Sequence, residues 1–353
     1  MATFKKHIHA MSAYKPPLDG RDPHSHLLLD FNERTLPVSD VITSALINYI
    51  NAGRLQMYPA YGDLDAVIAN YCGVKAEQVM ITNGSDQGID LIIRAACSAG
   101  DEAIIPSPSF AMYHQCAKVE QLHIIEPKYS LEEGFPLAGV LAAITPKTRV
   151  ICLANPNNPC GTVIARDDIA KILTAAAHAT VLVDECYFEY SQLTVCDMVE
   201  QYPNLVITRT FSKTWGIPSL RMGFVVSCAA NIKALLNVRG PYDINQLAVV
   251  AIRAALAEPE YTHSYVDEVM NKAKPMLEDF LREHKIPFWP SRANYVWFFP
   301  HNPDHLNNAL IQAHILVRPK VDANGKLGLR ITIGTLEQTA RAIDVLRKNV
   351  ATE

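Results

Sequence analysis

The sequence has no run of about 18 apolar residues, the length that a membrane-spanning helix needs. Its first nine residues include positive charges, but no apolar stretch long enough for a secretory signal follows them. The net charge is only −4, and no basic stripe of the kind that nucleic-acid binding requires is present. We therefore expect a cytoplasmic protein with neither a membrane nor a nucleic acid as a partner.

Disulfide and metal patterns are also missing. The eight cysteines form no Cys-x-x-Cys pair, and several lie in apolar or helical runs, as expected of thiols in a reducing compartment. Among the twelve histidines, the closest pairs, His7/His9 and His24/His26, lie in a polar N-terminal stretch and lack a third ligand at a metal-site spacing. We expect no disulfide framework and no metal site.

The glycine-rich signatures of nucleotide binding are absent too. Neither G-x-G-x-x-G nor G-x-x-x-x-G-K-[ST] follows a predicted strand, which argues against a nucleotide-binding α/β protein. The chain has 353 residues, of which 49% are hydrophobic, and this length is typical of about two domains. The composition therefore indicates an ordinary globular protein.

Short apolar runs alternate with helical patterns between residues 75 and 230, which predicts an α/β fold with a mostly parallel sheet. The predicted strands are 78–82, 103–106, 121–125, 150–154, 181–184, 206–210 and 224–227. Two long helical stretches follow, at 246–256 and 260–284, and Pro275 should kink or divide the second. We predict a large α/β domain at 31–245 and a smaller α+β domain formed by 1–30 and 246–353.

Polar residues follow several predicted strands, at the edge where ligands of parallel sheets bind. The first group is Gly84, Ser85 and Asp86, which open a helix after strand 78–82. Free N–H groups and the helix dipole there suit a phosphate, although an ordinary helix cap after a glycine turn explains the same residues. This motif alone is weak.

Two further groups follow the strands at 150–154 and 181–184. Two prolines and a glycine stiffen the loop 155–161, so that Asn157 could be held in one orientation, although the loop could equally be a plain turn. Asp184 ends a fully apolar strand, where a carboxylate is costly without a partner. A protonated pyridine nitrogen is one suitable partner, and a helix cap or an arginine is another.

Lys213 follows the strand at 206–210, beside the hydroxyl groups of Thr210 and Ser212 and eight residues before Arg221. A solvated loop cation is the ordinary explanation of a lysine. Together with the three other groups, however, it indicates an amine that forms an imine with a phosphate-bearing aldehyde cofactor. Arg221 would then bind the phosphate bidentately.

These segments together resemble the type I fold of pyridoxal-phosphate-dependent enzymes, in particular the class I/II aminotransferases near the histidinol-phosphate aminotransferase group. The resemblance extends over nearly the whole chain. It further includes Tyr58-Pro59, Tyr61-Gly62, Pro106-Ser107-Pro108-Ser109-Phe110, Asn245, Val317-Arg318-Pro319 and Leu329-Arg330-Ile331-Thr332-Ile333-Gly334-Thr335.

The resemblance implies roles around a bound pyridoxal 5'-phosphate. Lys213 would bind it covalently and move the proton as general base and acid, and Asp184 would hold the pyridine nitrogen. The remaining cofactor-binding residues it implies are Asn157 and Tyr187 at the ring hydroxyl, Phe110 stacked on the ring, Gly84, Ser85, Thr210, Ser212 and Arg221 at the phosphate, and Asp86. Tyr58 would reach the partner's phosphate, which implies a homodimer with shared active sites.

The resemblance places the substrate against Arg330, which would grip a carboxylate, with Arg318, Asn157, Asn32 and Tyr14 nearby. The sequence departs from the family pattern at Arg34, in Asn32-Glu33-Arg34-Thr35, at Cys160 and at Phe110. Arg34 is either a second anion site or a surface cation. Arg318 favours a phosphorylated substrate.

The resemblance implies a ping-pong aminotransferase that moves an amino group between an amino acid or a histidinol-phosphate-like amino-alcohol phosphate and a 2-oxo acid such as 2-oxoglutarate. Gly216-Ile217-Pro218-Ser219-Leu220-Arg221 is similar to threonine-phosphate decarboxylases, so an amino-acid-phosphate decarboxylase is an alternative, as is an aromatic amino acid aminotransferase. A ligand-sensing regulator would need an additional DNA-binding module, which we do not expect.

Overall fold

The computed structural model describes residues 3–350. In this part of the chain the strands, numbered in chain order, are β1 (Leu27–Leu28), β2 (Val79–Asn83), β3 (Glu102–Ile104), β4 (His123–Ile125), β5 (Thr148–Ala154), β6 (Thr180–Asp184), β7 (Leu205–Thr210), β8 (Met222–Ser227), β9 (Tyr295–Phe298), β10 (Ile315–Leu316), β11 (Arg318–Val321) and β12 (Leu327–Thr332). The α-helices are α1 (Lys6–Ala10), α2 (Asp40–Asn51), α3 (Leu64–Cys72), α4 (Gly84–Ala96), α5 (Ala111–Val119), α6 (Leu137–Ala143), α7 (Arg166–Ala175), α8 (Phe188–Ser191), α9 (Ala229–Leu236), α10 (Gln246–Ala257), α11 (Pro259–Glu268), α12 (Lys274–Glu283), α13 (Pro303–Gln312) and α14 (Leu336–Val350).

A seven-stranded sheet in the order β2-β8-β7-β6-β5-β3-β4 forms the centre of the protein. Only β8 runs antiparallel to its neighbours, β2 and β7. Each of its strands lies within two residues, at either end, of a strand predicted from the sequence. The predicted α/β fold with a mostly parallel sheet is therefore confirmed.

The strands of this sheet are apolar on both faces because helices cover both sides. Successive side chains point to opposite faces, so that Leu182 and Val206 enter one core cluster while Val183 and Ile207 enter the other. The near-continuous apolar runs therefore follow from the helices that pack on both faces of the sheet. They leave only the strand ends for polar side chains.

The C-terminal part contains a three-stranded antiparallel sheet, β11-β12-β9, with its own core cluster. Leu29 of the N-terminal segment joins that cluster, and β1 pairs in parallel with β10 through Leu27 and Ile315. The N-terminal segment thus packs with the C-terminal part. The domain boundaries at residues 30/31 and 245/246 stay a prediction.

The helical stretch around Pro275 is divided as expected. It consists of α11, a π-helical turn at Val269–Ala273, and α12, in which Pro275 lies in the first turn. Proline has no N–H to donate to the preceding turn, and a wider turn accommodates this loss.

Within residues 3–350, no helix is long and apolar enough to cross a membrane. The same residues bring together no group of three or more histidine, cysteine, aspartate or glutamate side chains that could hold a metal ion.

Candidate active site

A cavity lies at the carboxyl ends of β5, β6 and β7, where the topology places ligands in open parallel sheets. Nine residues that the sequence singled out line this cavity: Ser85, Asp86, Phe110, Asp184, Tyr187, Thr210, Ser212, Lys213 and Arg221. Its other lining residues are Tyr113, Ala154, Pro156, Asn158 and Cys186. The sheet thus brings together residues that are more than a hundred positions apart in the chain.

The amine of Lys213 donates a hydrogen bond to the backbone carbonyl of Phe31, at 2.9 Å. Burial, together with the nearby positive charge of Arg330, lowers the pKa of this amine below that of an ordinary lysine. A lowered pKa increases the fraction of neutral amine, which is the nucleophilic and proton-accepting form.

Asp184 is buried at the end of β6 and accepts three hydrogen bonds. Its donors are the hydroxyl of Tyr113 at 2.6 Å, the hydroxyl of Thr208 at 2.9 Å and the thiol of Cys186 at 2.8 Å. Burial raises the pKa of this carboxyl group even though the three donors oppose that rise. A cationic ligand in the cavity would therefore favour the ionised carboxylate.

Tyr113 and Phe110 lie together on the wall of the cavity. Their rings meet edge to face, with centroids 5.7 Å apart, and Tyr113 donates to Asp184. Sequence reasoning found Phe110 and missed Tyr113, although both belong to the same segment at the start of α5. Only the fold brings the side chain of Tyr113 to Asp184, at the end of β6, and so to the same wall as Phe110.

The first turn of α4 lies directly against Arg221. Gly84 has φ +72°, and a Cβ there would lie 2.5 Å from Nη2 of Arg221, so this position requires glycine. The guanidinium donates to the carboxylate of Asp86 at 2.8 Å, while the hydroxyl of Thr210 donates to that of Ser212 at 3.0 Å. Asp86 thus fixes the position of Arg221. Together, Arg221, the hydroxyl groups of Thr210 and Ser212 and the first turn of α4 form a site suited to a phosphate.

Asn158, not Asn157, is the asparagine that lines the cavity. The amide of Asn157 donates to the carbonyl of Pro108 at 2.9 Å and accepts from the hydroxyl of Ser109 at 3.0 Å, so its polar groups are engaged behind the wall. The choice of Asn157 is corrected for that reason. Two adjacent asparagines in a stiff loop point in different directions, and the sequence does not indicate which one faces the ligand.

Tyr187 connects the cavity to the N-terminal segment. Its hydroxyl accepts from the amide of Asn32 at 2.9 Å and from that of Asn158 at 3.5 Å, and burial raises its pKa. Asn32 is itself buried, and its backbone N–H donates to the hydroxyl of Thr332 at 3.0 Å. Asn32 therefore lies behind Tyr187.

A cluster of positive charges lies on β11 and β12. Arg318 pairs with Arg330 in the strand register, and Lys320 follows two residues along β11. Arg330 donates to the amide oxygen of Asn158 at 2.5 Å and to the carbonyl of Asp30 at 2.6 Å. No described residue accepts from its buried Nε. The pKa of Lys320, which sequence reasoning missed, is lowered to about 8 by burial and by the two arginines.

Tyr58 and Tyr14 do not line the cavity. Tyr58 is 78% exposed and stacks on Tyr242, with ring centroids 4.5 Å apart, and Tyr14 is also exposed. Within a single chain, neither residue reaches Lys213's cavity.

Neither explanation of Arg34 from the sequence is correct, because the residue is neither exposed nor at the cavity. Its guanidinium lies between the rings of Tyr261 and Tyr265, 4.5 and 4.4 Å from their centroids. Cys160 likewise lies away from the cavity, fully buried in an aromatic cluster with Trp297. Of the three departures, only Phe110 lines the cavity.

The family model for aminotransferase class I and II matches residues 27–346. A histidinol-phosphate aminotransferase from Geotalea daltonii is 31% identical over 98% of this chain and 99% of that protein.

Two solved structures share the fold. The histidinol-phosphate aminotransferase from Sinorhizobium meliloti in complex with pyridoxal-5'-phosphate has a TM-score of 0.89 at 20% identity, over 100% of this chain and 98% of that one. The L-threonine-O-3-phosphate decarboxylase from Porphyromonas gingivalis has a TM-score of 0.77 at 21% identity, over 91% of this chain and 98% of that one.

Proposed function

The chain belongs to the class I and II aminotransferase family, and from this premise we propose that it transfers the amino group of a phosphorylated, histidinol-phosphate-like donor to a 2-oxo acid such as 2-oxoglutarate. The family membership confirms the resemblance found in the sequence. The single observation that best supports the substrate is the cationic cluster of Arg318, Lys320 and Arg330, which is joined to the cavity wall by the hydrogen bond from Arg330 to Asn158.

The cavity residues fit pyridoxal phosphate, the cofactor of the family. The buried carboxylate of Asp184 has neutral donors around it and a raised pKa, which a protonated ring nitrogen would offset. At the other end, Arg221 and the Gly84 turn offer donors to a phosphate. Bound there, the cofactor supplies the electron sink that stabilises negative charge on the substrate carbon.

In this proposal the protein's own residues have distinct tasks. Lys213 would bind the cofactor covalently, and its amine, when free, would accept the proton from the substrate carbon and donate it to the cofactor's aldehyde-derived carbon. Asp184 keeps the ring nitrogen protonated, and Tyr113 and Thr208 keep Asp184 oriented. Asn158, Tyr187 and Phe110 line the cavity, and there the first two would bind the ring hydroxyl while Phe110 would cover the ring face.

Arg330 is proposed to grip the substrate carboxylate when the amino donor or acceptor is an amino or 2-oxo acid. Its planar guanidinium suits a bidentate pair, and its buried Nε, free of acceptors among the described residues, supports this task. Arg318 and Lys320 would add the charge that a phosphate requires.

We expect the KM of a phosphorylated donor to rise by about five- to tenfold between pH 7 and pH 9 as Lys320, with a pKa of about 8, loses its proton. The substrate phosphate is already a dianion above pH 7 and does not contribute to the change. In Lys320→Met the pH dependence of KM should disappear. Lys326→Met, which changes a lysine in the turn between β11 and β12, should retain it. Steady-state kinetics across this range check the prediction, and an unchanged pH profile in Lys320→Met would contradict it.

A substrate screen tests the proposed function and separates it from decarboxylation, which uses the same electron sink. Histidinol phosphate, aromatic amino acids, glutamate and threonine phosphate are each added to the holoenzyme, and loss of the lysine-bound cofactor's absorbance is followed. Histidinol phosphate should react fastest in the transamination half-reaction. Release of carbon dioxide from threonine phosphate, without formation of an oxo product, would replace the proposal with the decarboxylase.

We also propose a homodimer, and the eight free cysteines are consistent with a cytoplasmic location. Exposed apolar side chains concentrate along α2 and the segment after it: Ile47, Ile50, Leu55, Met57 and Tyr58. Such a patch is typical of an interface. Sedimentation of the holoenzyme at several concentrations measures the oligomeric state.

If Tyr58 donates a hydrogen bond to the partner's cofactor phosphate, Tyr58→Phe should weaken cofactor binding about ten- to a hundredfold, the usual effect of losing one hydrogen bond to a charged group. Titration of the apoenzyme with pyridoxal phosphate measures this affinity. Tyr202→Phe, a partly buried tyrosine of the large core, serves as the matched control. Equal affinities of wild type and Tyr58→Phe for pyridoxal phosphate would contradict the proposed contact between subunits.

A further inference from the structure

Lys213 lies in a segment that belongs to no helix or strand. Residues 211–217 connect β7 to a short 3₁₀ turn at Pro218–Leu220. Within the segment, the N–H of Gly216 donates to the carbonyl of Lys213 at 3.2 Å, and that of Ile217 donates to the carbonyl of Phe211 at 3.3 Å. These two hydrogen bonds do not fix the conformation of the whole loop, so contacts with other segments of the chain must do so.

The first such contact is the buried carboxylate of Glu189 on α8. It accepts from the hydroxyl of Thr214 at 3.0 Å, from the indole N–H of Trp215 at 2.9 Å and from the hydroxyl of Tyr71 at 2.7 Å. Hydrogen bonds to an ionised group are stronger than neutral ones, and here both residues after Lys213 donate to one carboxylate. Because α8 directly follows Tyr187, the same helix sets the cavity wall and the lysine loop.

The second contact is Arg34, on the N-terminal segment. Its guanidinium donates to the carbonyl of Thr214 at 3.1 Å and to that of Tyr261 at 3.3 Å. Its stem fills the space beside Gly216, where a Cβ would lie 2.7 Å from the Cδ of Arg34. The rings of Tyr261 and Tyr265 on α11 confine the guanidinium from both sides.

The lysine itself is held by the same N-terminal segment. Its amine donates to the carbonyl of Phe31, three residues before Arg34, so one segment contacts both Lys213 and the residue that follows it. Thr214 is held through its carbonyl by Arg34 and through its hydroxyl by Glu189. These contacts restrain the residue next to Lys213 through both its backbone and its side chain.

We propose that Arg34 and Glu189 are positioning residues that clamp Thr214 and thereby set where the Lys213 amine lies relative to the reacting carbon. The inference rests on the proposed role of Lys213. A small displacement of a reacting group is enough to slow catalysis about a hundredfold, so a loosened clamp should act mainly on kcat.

The test compares Arg34→Met and Thr214→Val with wild-type holoenzyme. The absorbance of the lysine-bound cofactor is titrated with pH, kcat and KM for glutamate are measured, and thermal unfolding is recorded. For Arg34→Met we expect kcat to fall about ten- to a hundredfold and KM to change by less than about threefold. The titration midpoint should shift from that of wild type, because a loosened loop changes the position of Lys213 relative to the charges that act on it, Arg330 among them.

Thr214→Val removes only the hydroxyl bond to Glu189, leaves the carbonyl for Arg34, and should lower kcat by a smaller factor, about two- to fivefold. This variant decides the matter if Arg34→Met does not fold. Arg341→Met is the matched control, because it also removes an arginine that donates to a backbone carbonyl, at 3.0 Å, away from the cavity. It should behave like wild type.

The clamp is overturned if the folded, cofactor-loaded variants keep the wild-type midpoint and a kcat within about twofold, even when they unfold at lower temperature. Failure of the wild-type protein to show a lysine-bound cofactor would be a different result, because it would remove the role of Lys213 itself. The two failures are therefore distinguishable in one set of measurements.

Discussion

Lys213→Ala is expected to lower kcat by at least about 10⁴-fold, because the variant loses both the covalent attachment and the group that moves the proton. The cofactor should still bind, held by Arg221 and the Gly84 turn, so that the loss falls on turnover and not on occupancy. Single-turnover measurements with glutamate, at saturating pyridoxal phosphate, give the rate. Retained cofactor is measured separately after gel filtration.

Lys213→Arg is the informative control for this prediction. It keeps the positive charge near the carbonyl of Phe31 but provides no amine that can be neutral at working pH. Both variants should therefore be inactive. Transamination by Lys213→Ala at more than about a tenth of the wild-type rate would mean that another group carries the reaction.

Asp184→Asn is expected to lower kcat by about 10²- to 10³-fold, the usual scale for removing one well-placed electrostatic partner. A neutral amide cannot keep the ring nitrogen protonated, so the electron sink is weakened while Lys213 is untouched. In the cofactor-free protein burial raises the pKa of Asp184, so the wild-type apoenzyme should bind pyridoxal phosphate more weakly as the pH drops and the carboxyl group is protonated. Half-reaction rates measure the first effect, and titration of the apoenzyme with pyridoxal phosphate at several pH values measures the second.

The matched control is Asp197→Asn, which removes an exposed carboxylate paired with Arg166 at 2.7 Å. It should leave kcat unchanged. If Asp184→Asn keeps kcat within about threefold of wild type, the carboxylate has no role at the ring nitrogen. Its hydrogen bonds with Tyr113, Thr208 and Cys186 would then serve only the structure of the protein.

The central sheet could be predicted from the sequence because its strands are buried on both faces. Apolar runs such as Val181–Val183 are too short to form a helix, so they predict strands. The polar residues that follow these runs, Asp184 among them, mark the ligand-binding edge of the sheet. The family resemblance was recognisable for the same reason, and the family match confirms it. Order and spacing along the chain carry this information.

What could not be predicted depends on contacts between distant segments. Tyr113 reaches Asp184 from 71 residues away, and Arg34 reaches Thr214 from 180 residues away. Nothing in the local pattern distinguishes Asn157 from Asn158, since side-chain direction in that loop follows from its packing. Arg34 looked like a solvated or ligand-binding cation because its tyrosine partners lie on α11, far along the chain.

The most direct measurement is the location of the cofactor on the chain before and after an amino donor is added. The holoenzyme is reduced with borohydride, digested and analysed by mass spectrometry, with and without prior incubation with glutamate. We predict a pyridoxyl group on Lys213 in the absence of glutamate and its loss when glutamate is present. Labelling of a different lysine, or labelling of Lys213 that glutamate does not diminish, would contradict the account.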